Sequence, residues 1–287
     1  MTGATQSGSW YNKNGCLNLF RQLLYGFRAK VIRAERSFYL ASQWKNALII
    51  GASSGIGAEL ARQLAKQGCS VALVARRETE LRQITDSIQA NGGPPARYYL
   101  HDAREVESVS ALFQQIAHDM GGLDLVIYAA GVMPPIAPGE YSLEKDRQMI
   151  EVNVLGAIAW LNEAAQRFER AKSGTIVGIS SVAGERGRHS MPVYSTSKAA
   201  LTAYMEALRN RVARYGVKVV TVKPGPVATP MTEGLKMPLM IPVERAATEI
   251  LAAAKRGAVN AYIPGVWRYI FLILRNVPSI LFRKLKL

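Results

Sequence analysis

Cysteine is nearly absent: Cys16 and Cys69 are the two copies in 287 residues. That excludes a disulfide framework, and the pair has no metal-ligand spacing. His101, His118 and His189 are as scattered, so no metal centre can be argued from them. A reducing compartment is the simplest home for such a chain. Acid is missing too, but only from the ends. Residues 1–45 carry seven Lys and Arg against the single acid Glu35, residues 255–287 carry seven against none, and residues 46–254 carry 22 against 20. The net charge of +15 therefore belongs to two tails, and the nearly neutral body does not suit a nucleic-acid-binding domain. What the body has instead is apolar content, 49% over the whole chain, enough for one α/β domain with a full core.

In the first 44 residues, Phe20, Leu23, Leu24, Phe27 and Val31 follow a helical stripe with arginines and Lys30 interspersed. This reads as a basic amphipathic helix or a weakly ordered extension. Arg21 and Arg28 interrupt any secretory h-region, whereas a transit peptide is also basic and poor in acid. From Lys45 the pattern changes. Apolar runs at 46–50, 70–75, 96–101, 123–129, 174–180, 217–223 and 261–263 alternate with helical segments, which predicts a parallel sheet covered on both faces.

The first strand runs into Gly51-Ala-Ser-Ser-Gly55-Ile-Gly57, followed by a helix and a second strand. Glycines at a strand-to-helix turn let the backbone bend tightly and let a pyrophosphate approach the first helical amides. Ser53, Ser54 and Ile56 share that turn. Further along, Tyr194 is followed one helical turn later by Lys198, which puts a phenol and an ammonium on one face. A fixed cation lowers a phenol's pKa from about 10 toward the range useful for proton transfer. Ser181, at the end of the run Thr175–Ile179, can offer a hydroxyl to the same reacting oxygen.

The form Gly-Ala-Ser-Ser-Gly-Ile-Gly, with Ser181, Tyr194 and Lys198 at these separations, resembles the short-chain dehydrogenase/reductase family from about residue 45 to 263. The resemblance implies a Rossmann-type, doubly wound, seven-stranded sheet and a catalytic group of Asn153, Ser181, Tyr194 and Lys198. Lys198 would lower the tyrosine pKa and hold the nicotinamide ribose, and Asn153 would hold a water linking the lysine to solvent. It also implies that Asp102 contacts adenine, that Ala130 and Gly131 line the cofactor, and that Pro224, Gly225, Val227 and Thr229 hold its nicotinamide end. Two positions depart from the family pattern: Ala129 replaces an asparagine and Ile50 a threonine. At the end of the second strand, Ala75 omits the acid that binds a ribose 2′-hydroxyl, and Arg76 and Arg77 offer cations to a 2′-phosphate. NADP(H) is expected over NAD(H).

Residues 230–242, with Met231, Met237 and Met240, read as an apolar lid. Residues 264–287 combine aromatics with basic residues, and the longest uncharged stretch before Arg275, Tyr269–Leu274, is far short of the roughly 20 residues that span a bilayer. The tail suits a segment lying in the headgroup layer, or a packing or subunit contact. It is similar, with the segment before Tyr194, to bacterial reductases of a keto-pentofuranose carried by decaprenyl phosphate, enzymes usually linked to NADH. The expectation is an oxidoreductase converting a ketone and a secondary alcohol, cytoplasmic and on the inner face of the cell membrane, with a lipid-linked keto-sugar as substrate. A long-chain or sphingoid ketone is the alternative substrate, and a non-enzymatic NADP-binding membrane sensor or scaffold the alternative function. Assembly into a homo-oligomer stays open.

Overall fold

The computed structural model describes residues 44–235 and 237–284. The basic amphipathic helix read over Phe20 to Val31 lies outside them, as does all of the 1–44 extension but Trp44. Trp44 is buried, and its indole Nε1 donates to Thr175 Oγ1 at 3.3 Å, so the folded body includes the residue just before the boundary the sequence suggests.

Seven parallel strands form the sheet: β1 (Asn46–Ile50), β2 (Ser70–Ala75), β3 (Ala96–Leu100), β4 (Leu125–Tyr128), β5 (Thr175–Ile179), β6 (Lys218–Pro224) and β7 (Asn260–Ile263). Their order is β3-β2-β1-β4-β5-β6-β7. Successive side chains of a strand face opposite sides, and here both sides are apolar. Ala47 and Ile49 join one core layer while Leu48 and Ile50 join the other. The first layer is closed by α1 (Gly55–Lys66), α2 (Glu78–Ala90) and α7 (Val243–Arg256), the second by α3 (Val109–Asp119), α5 (Ala157–Ala171) and α6 (Pro192–Val212). The parallel sheet covered on both faces, expected from the alternation, and the doubly wound seven-stranded order, implied by the resemblance, are both observed, with strand ends differing by one or two residues.

Local chemistry explains the element boundaries that matter for the site. α6 opens with Pro192, whose fixed φ and missing N–H suit the first helical turn. A short helix α4 (Leu143–Ile150) is capped by Ser142 Oγ, which accepts from Lys145 N, and joins α5 through a π-helical turn, Glu151–Gly156. After β6 the chain makes two short paired strands, Val227–Ala228 and Ile241–Pro242. They pin both ends of the segment read as a lid. Beyond β7, α8 (Trp267–Asn276) and α9 (Ser279–Phe282) follow. Trp267 and Phe271 bury one face of α8 against Val182 and Tyr262.

Candidate active site

The sheet order reverses between β1 and β4, and an open α/β sheet forms its crevice at the carboxyl ends of the strands on either side of such a point. A cleft of about 380 Å³ lies there. It is lined by the turn from Gly51 to Gly57, by Arg76, Arg77 and Asp102, by Ala130 and Gly131, by Ser181, Tyr194 and Lys198, and by Pro224, Gly225, Val227 and Thr229. All the catalytic and cofactor-binding residues expected from the sequence line it except Asn153, which sits fully buried behind it.

The glycine turn is a cradle that side chains would fill. A Cβ on Gly51 would collide with Ala130 N, and one on Gly57 would collide with the Gly51 carbonyl. Gly51 also has φ +87°, in the left-handed region. Bare backbone and the first amides of α1 therefore face the cleft, which suits a pyrophosphate. Ile50 and Ala129, the two departures from the family pattern, stay joined through their backbones, Ala129 N donating to Ile50 O at 2.8 Å.

At the β2 end, Arg77 donates to Ser53 Oγ at 2.8 Å and to Ser54 Oγ at 2.7 Å, and its other amine lies 3.5 Å from Glu80. Those serine contacts lay the guanidinium across the glycine turn. Arg76 stands 3.7 Å from Asp102, which Arg104 grips at 2.6 Å. The Arg104 hydrogen bond, with further help from Arg76, holds the Asp102 carboxyl below its ordinary range. Two arginines and two serine hydroxyls beside a glycine turn are the donor set that a ribose phosphate needs, so the residues present fit an adenosine 2′-phosphate.

At the other end, Ser181 and Tyr194 line the cleft together, and the Ser181 hydroxyl acts to lower the Tyr194 pKa. Ser181 is aimed by its own loop, since its Oγ accepts from Ala183 N at 3.0 Å. Lys198 is 4% exposed and donates to Ile179 O at 3.0 Å, which fixes its amine under the cleft. Burial pushes that amine down to about 8. Asn153 comes from the π-helical turn: its Oδ1 accepts from Val132 N at 2.8 Å, and its Nδ2 donates to Val132 O and to Ser197 Oγ, both at 3.0 Å. Ser197 in turn donates to Tyr194 O at 2.8 Å. A Cβ at Gly131 would lie 3.3 Å from Lys198 Nζ and 3.4 Å from Asn153 Oδ1, so both groups border the same backbone.

The electrostatic expectation for Tyr194 needs correcting. Burial raises the phenol above its ordinary value, and the opposing pulls come from the Ser181 hydrogen bond and the Arg188 cation rather than from Lys198. The reason is geometric and ionic at once. Lys198 Nζ lies 5.9 Å from the tyrosine ring centre and is turned to a carbonyl, in surroundings that disfavour its charge. Arg188 and Ser197 were missed by sequence reasoning. Ser197 carried a usable signal, being one residue before the lysine on a helix; Arg188 lies in a loop, where no periodicity points inward.

A model of the short chain dehydrogenase family matches residues 45–238. An uncharacterised oxidoreductase of Staphylococcus epidermidis is 34% identical over 190 residues, covering 66% of this chain and 81% of the relative. Among solved structures, a short-chain type dehydrogenase/reductase from Mycobacterium marinum aligns with TM-score 0.70 at 28% identity, over 76% of this chain and 93% of the other. A single-residue variant of actinorhodin polyketide ketoreductase, solved with NADPH, aligns with TM-score 0.69 at 26% identity, over 78% and 97%.

Proposed function

This chain belongs to the short-chain dehydrogenase family and is an oxidoreductase of that type, and from that premise we propose that it interconverts a ketone and a secondary alcohol with NADP(H). The observation that carries this reading is the convergence of the Ser181 and Tyr194 hydroxyls, over the Lys198 amine, at one end of a glycine-cradled cleft. The nicotinamide, when bound, supplies hydride to the carbonyl carbon or takes it from the alcohol carbon. In the reductive direction Tyr194 gives its proton to the carbonyl oxygen, while Ser181 holds that oxygen by a hydrogen bond. Because burial keeps the phenol protonated at neutral pH, it is a ready donor there and needs higher pH to act as a base. Lys198 stands below as the group that meets the ribose and feeds protons to the tyrosine. Asn153 and Ser197 fix the loop and the helix that carry them.

The preference for NADP(H) is supported by Arg77, already laid over Ser53 and Ser54, and by a ketoreductase neighbour solved with NADPH. For substrate, we take a lipid-borne ketone such as a polyprenyl-phosphate keto-sugar, reduced at the cytoplasmic face of a membrane. The support is the apolar lip beside the cleft, where Met231, Leu235 and Leu239 are exposed. No helix among the described residues is long and apolar enough to cross a membrane. Tyr194→Phe tests the chemistry: NADPH binding, read by its fluorescence, should survive while turnover of any ketone substrate is lost. Retained turnover in that variant would end the assignment.

A further inference from the structure

The helix α8 carries more apolar surface than its own domain covers. Trp267, Phe271 and Leu274 recur at the spacing of one helical face, and that face packs on Val182 and Tyr262. The opposite face is also apolar. Tyr269, Leu272 and Ile273, continued by Ile280 and Leu281 on α9, are each more than half exposed. A helix apolar on two opposite faces calls for burial on both sides. The charges on this surface decide what can cover it. Arg268, Arg283 and Lys284 are exposed, and no acidic residue follows Glu249 in the chain. A second copy docking through the same patch would set like charges against each other. An anionic lipid surface would meet aromatic and aliphatic side chains with basic groups at its phosphates.

The patch is also tied to the reacting end of the cleft. A Cβ on Gly225, which lines the cleft, would collide with Trp267 Nε1, so the indole lies directly on that backbone. Four residues after Ser181, the buried Glu185 pairs with Lys223 at 2.5 Å, accepts from Tyr262 at 3.0 Å and lies 3.4 Å from Arg275 on α8. The neighbouring Arg186 donates to the carbonyls of Leu274 and Val277 at 2.5 and 2.6 Å and places its guanidinium 3.8 Å from the Phe282 ring centre. The loop that carries the serine therefore holds both helices from within.

We infer that the outer face of α8 and α9 docks this enzyme on an anionic membrane surface, with the reacting end of the cleft held beside the bilayer by the Glu185 and Arg186 contacts. This deepens the reading of a lipid-borne substrate and rests on it for its purpose alone. The test is flotation of the full chain with vesicles of phosphatidylcholine and phosphatidylglycerol, against vesicles of phosphatidylcholine alone. The parent should float with the anionic vesicles and stay down with the neutral ones. Leu272→Glu with Ile273→Glu should cut the floated fraction about tenfold or more, because acids replace the inserting side chains. That variant should keep the parent's Tm and its turnover of a water-soluble ketone. Tyr194→Phe should float like the parent, so loss of the chemistry and loss of docking are read separately. A parent that stays down with anionic vesicles, or a double variant that floats as well as the parent, overturns the inference. So does a parent dimer that the double variant converts to monomer, which would make this face a subunit contact.

Discussion

The cleft has one end whose charges stand in water and one whose charge is sealed in. Near β2, the Arg76 and Arg77 side chains are 52% and 49% exposed, and they pair with Asp102 and Glu80, 13% and 39% exposed. Near β5, Lys198 is 4% exposed, and the group that answers it is a backbone carbonyl. Exposed arginines remain charged, cost little to keep and wait for a polyanion. A buried amine is shifted in pKa by its surroundings whether or not anything binds. The first end can thus be redesigned by side chain, whereas the second depends on the whole layer of β5, α6 and the π-helical turn.

The comparison breaks most sharply at the buried end. Tyr194→Phe and Lys198→Met should each reduce turnover by roughly 10² to 10⁴-fold, the range of a lost acid-base group, measured as kcat on a ketone with saturating NADPH. Lys198→Met also tests the burial itself. The amine's pKa is 10.5 in ordinary surroundings and about 8 in the folded chain, so between those values the unfolded chain holds a proton that the folded one lacks. Parent stability should therefore rise with pH across that window, while the penalty is full below about 8. Methionine carries no charge, so the Tm of the variant minus that of the parent should fall as pH rises from about 8 to 10.5. A flat difference would contradict the sealed state of this lysine.

At the exposed end the effect should be smaller and confined to binding. Arg77→Ala should weaken NADPH by about tenfold to a hundredfold, the range for charge-assisted hydrogen bonds, and leave NADH nearly unchanged. Arg76→Ala should cost less, because Arg76 already shares Asp102 with Arg104. Titrating both cofactors into each variant checks the ranking. Equal losses for NADPH and NADH would mean that the arginines do not read the 2′-phosphate.

The smallest effect sharpens the contrast. Arg188 pulls the tyrosine pKa down against burial, so Arg188→Ala should move the alkaline limb of alcohol oxidation to higher pH. Ketone reduction near neutral pH should change little, since the phenol is already protonated. An unmoved limb would show that Arg188 does not act on the phenol.

Much of this was legible in the sequence for a physical reason. A buried parallel strand must be apolar on both faces, so the seven runs stood out, and a phosphate cradle needs glycines where Gly51, Gly55 and Gly57 stand. Tyr194 and Lys198 were visible because helical periodicity brings them together, and they gained meaning from Ser181 upstream and the glycine turn. The parts that stayed hidden depend on contacts without a period. Glu185 and Lys223 are far apart in sequence and meet across the end of the sheet, so a buried ion pair read as two ordinary charges. The inner packing of α8 was hidden likewise, because Trp267 and Phe271 look the same whether they seek a protein surface or a lipid one.

The π-helical turn Glu151–Gly156 has a consequence for how this enzyme can be varied. Such a turn holds about one residue more than an α-helix needs to cover the same distance. Asn153 is thus aimed by chain length as much as by side-chain identity. Removing one residue, for example Val154, would let the stretch relax into a continuous helix and swing the asparagine by about 100°, away from the Val132 backbone it clasps. Every side chain of the catalytic group would still be encoded. A library of substitutions would pass over this position in silence, and a library of single deletions would find it.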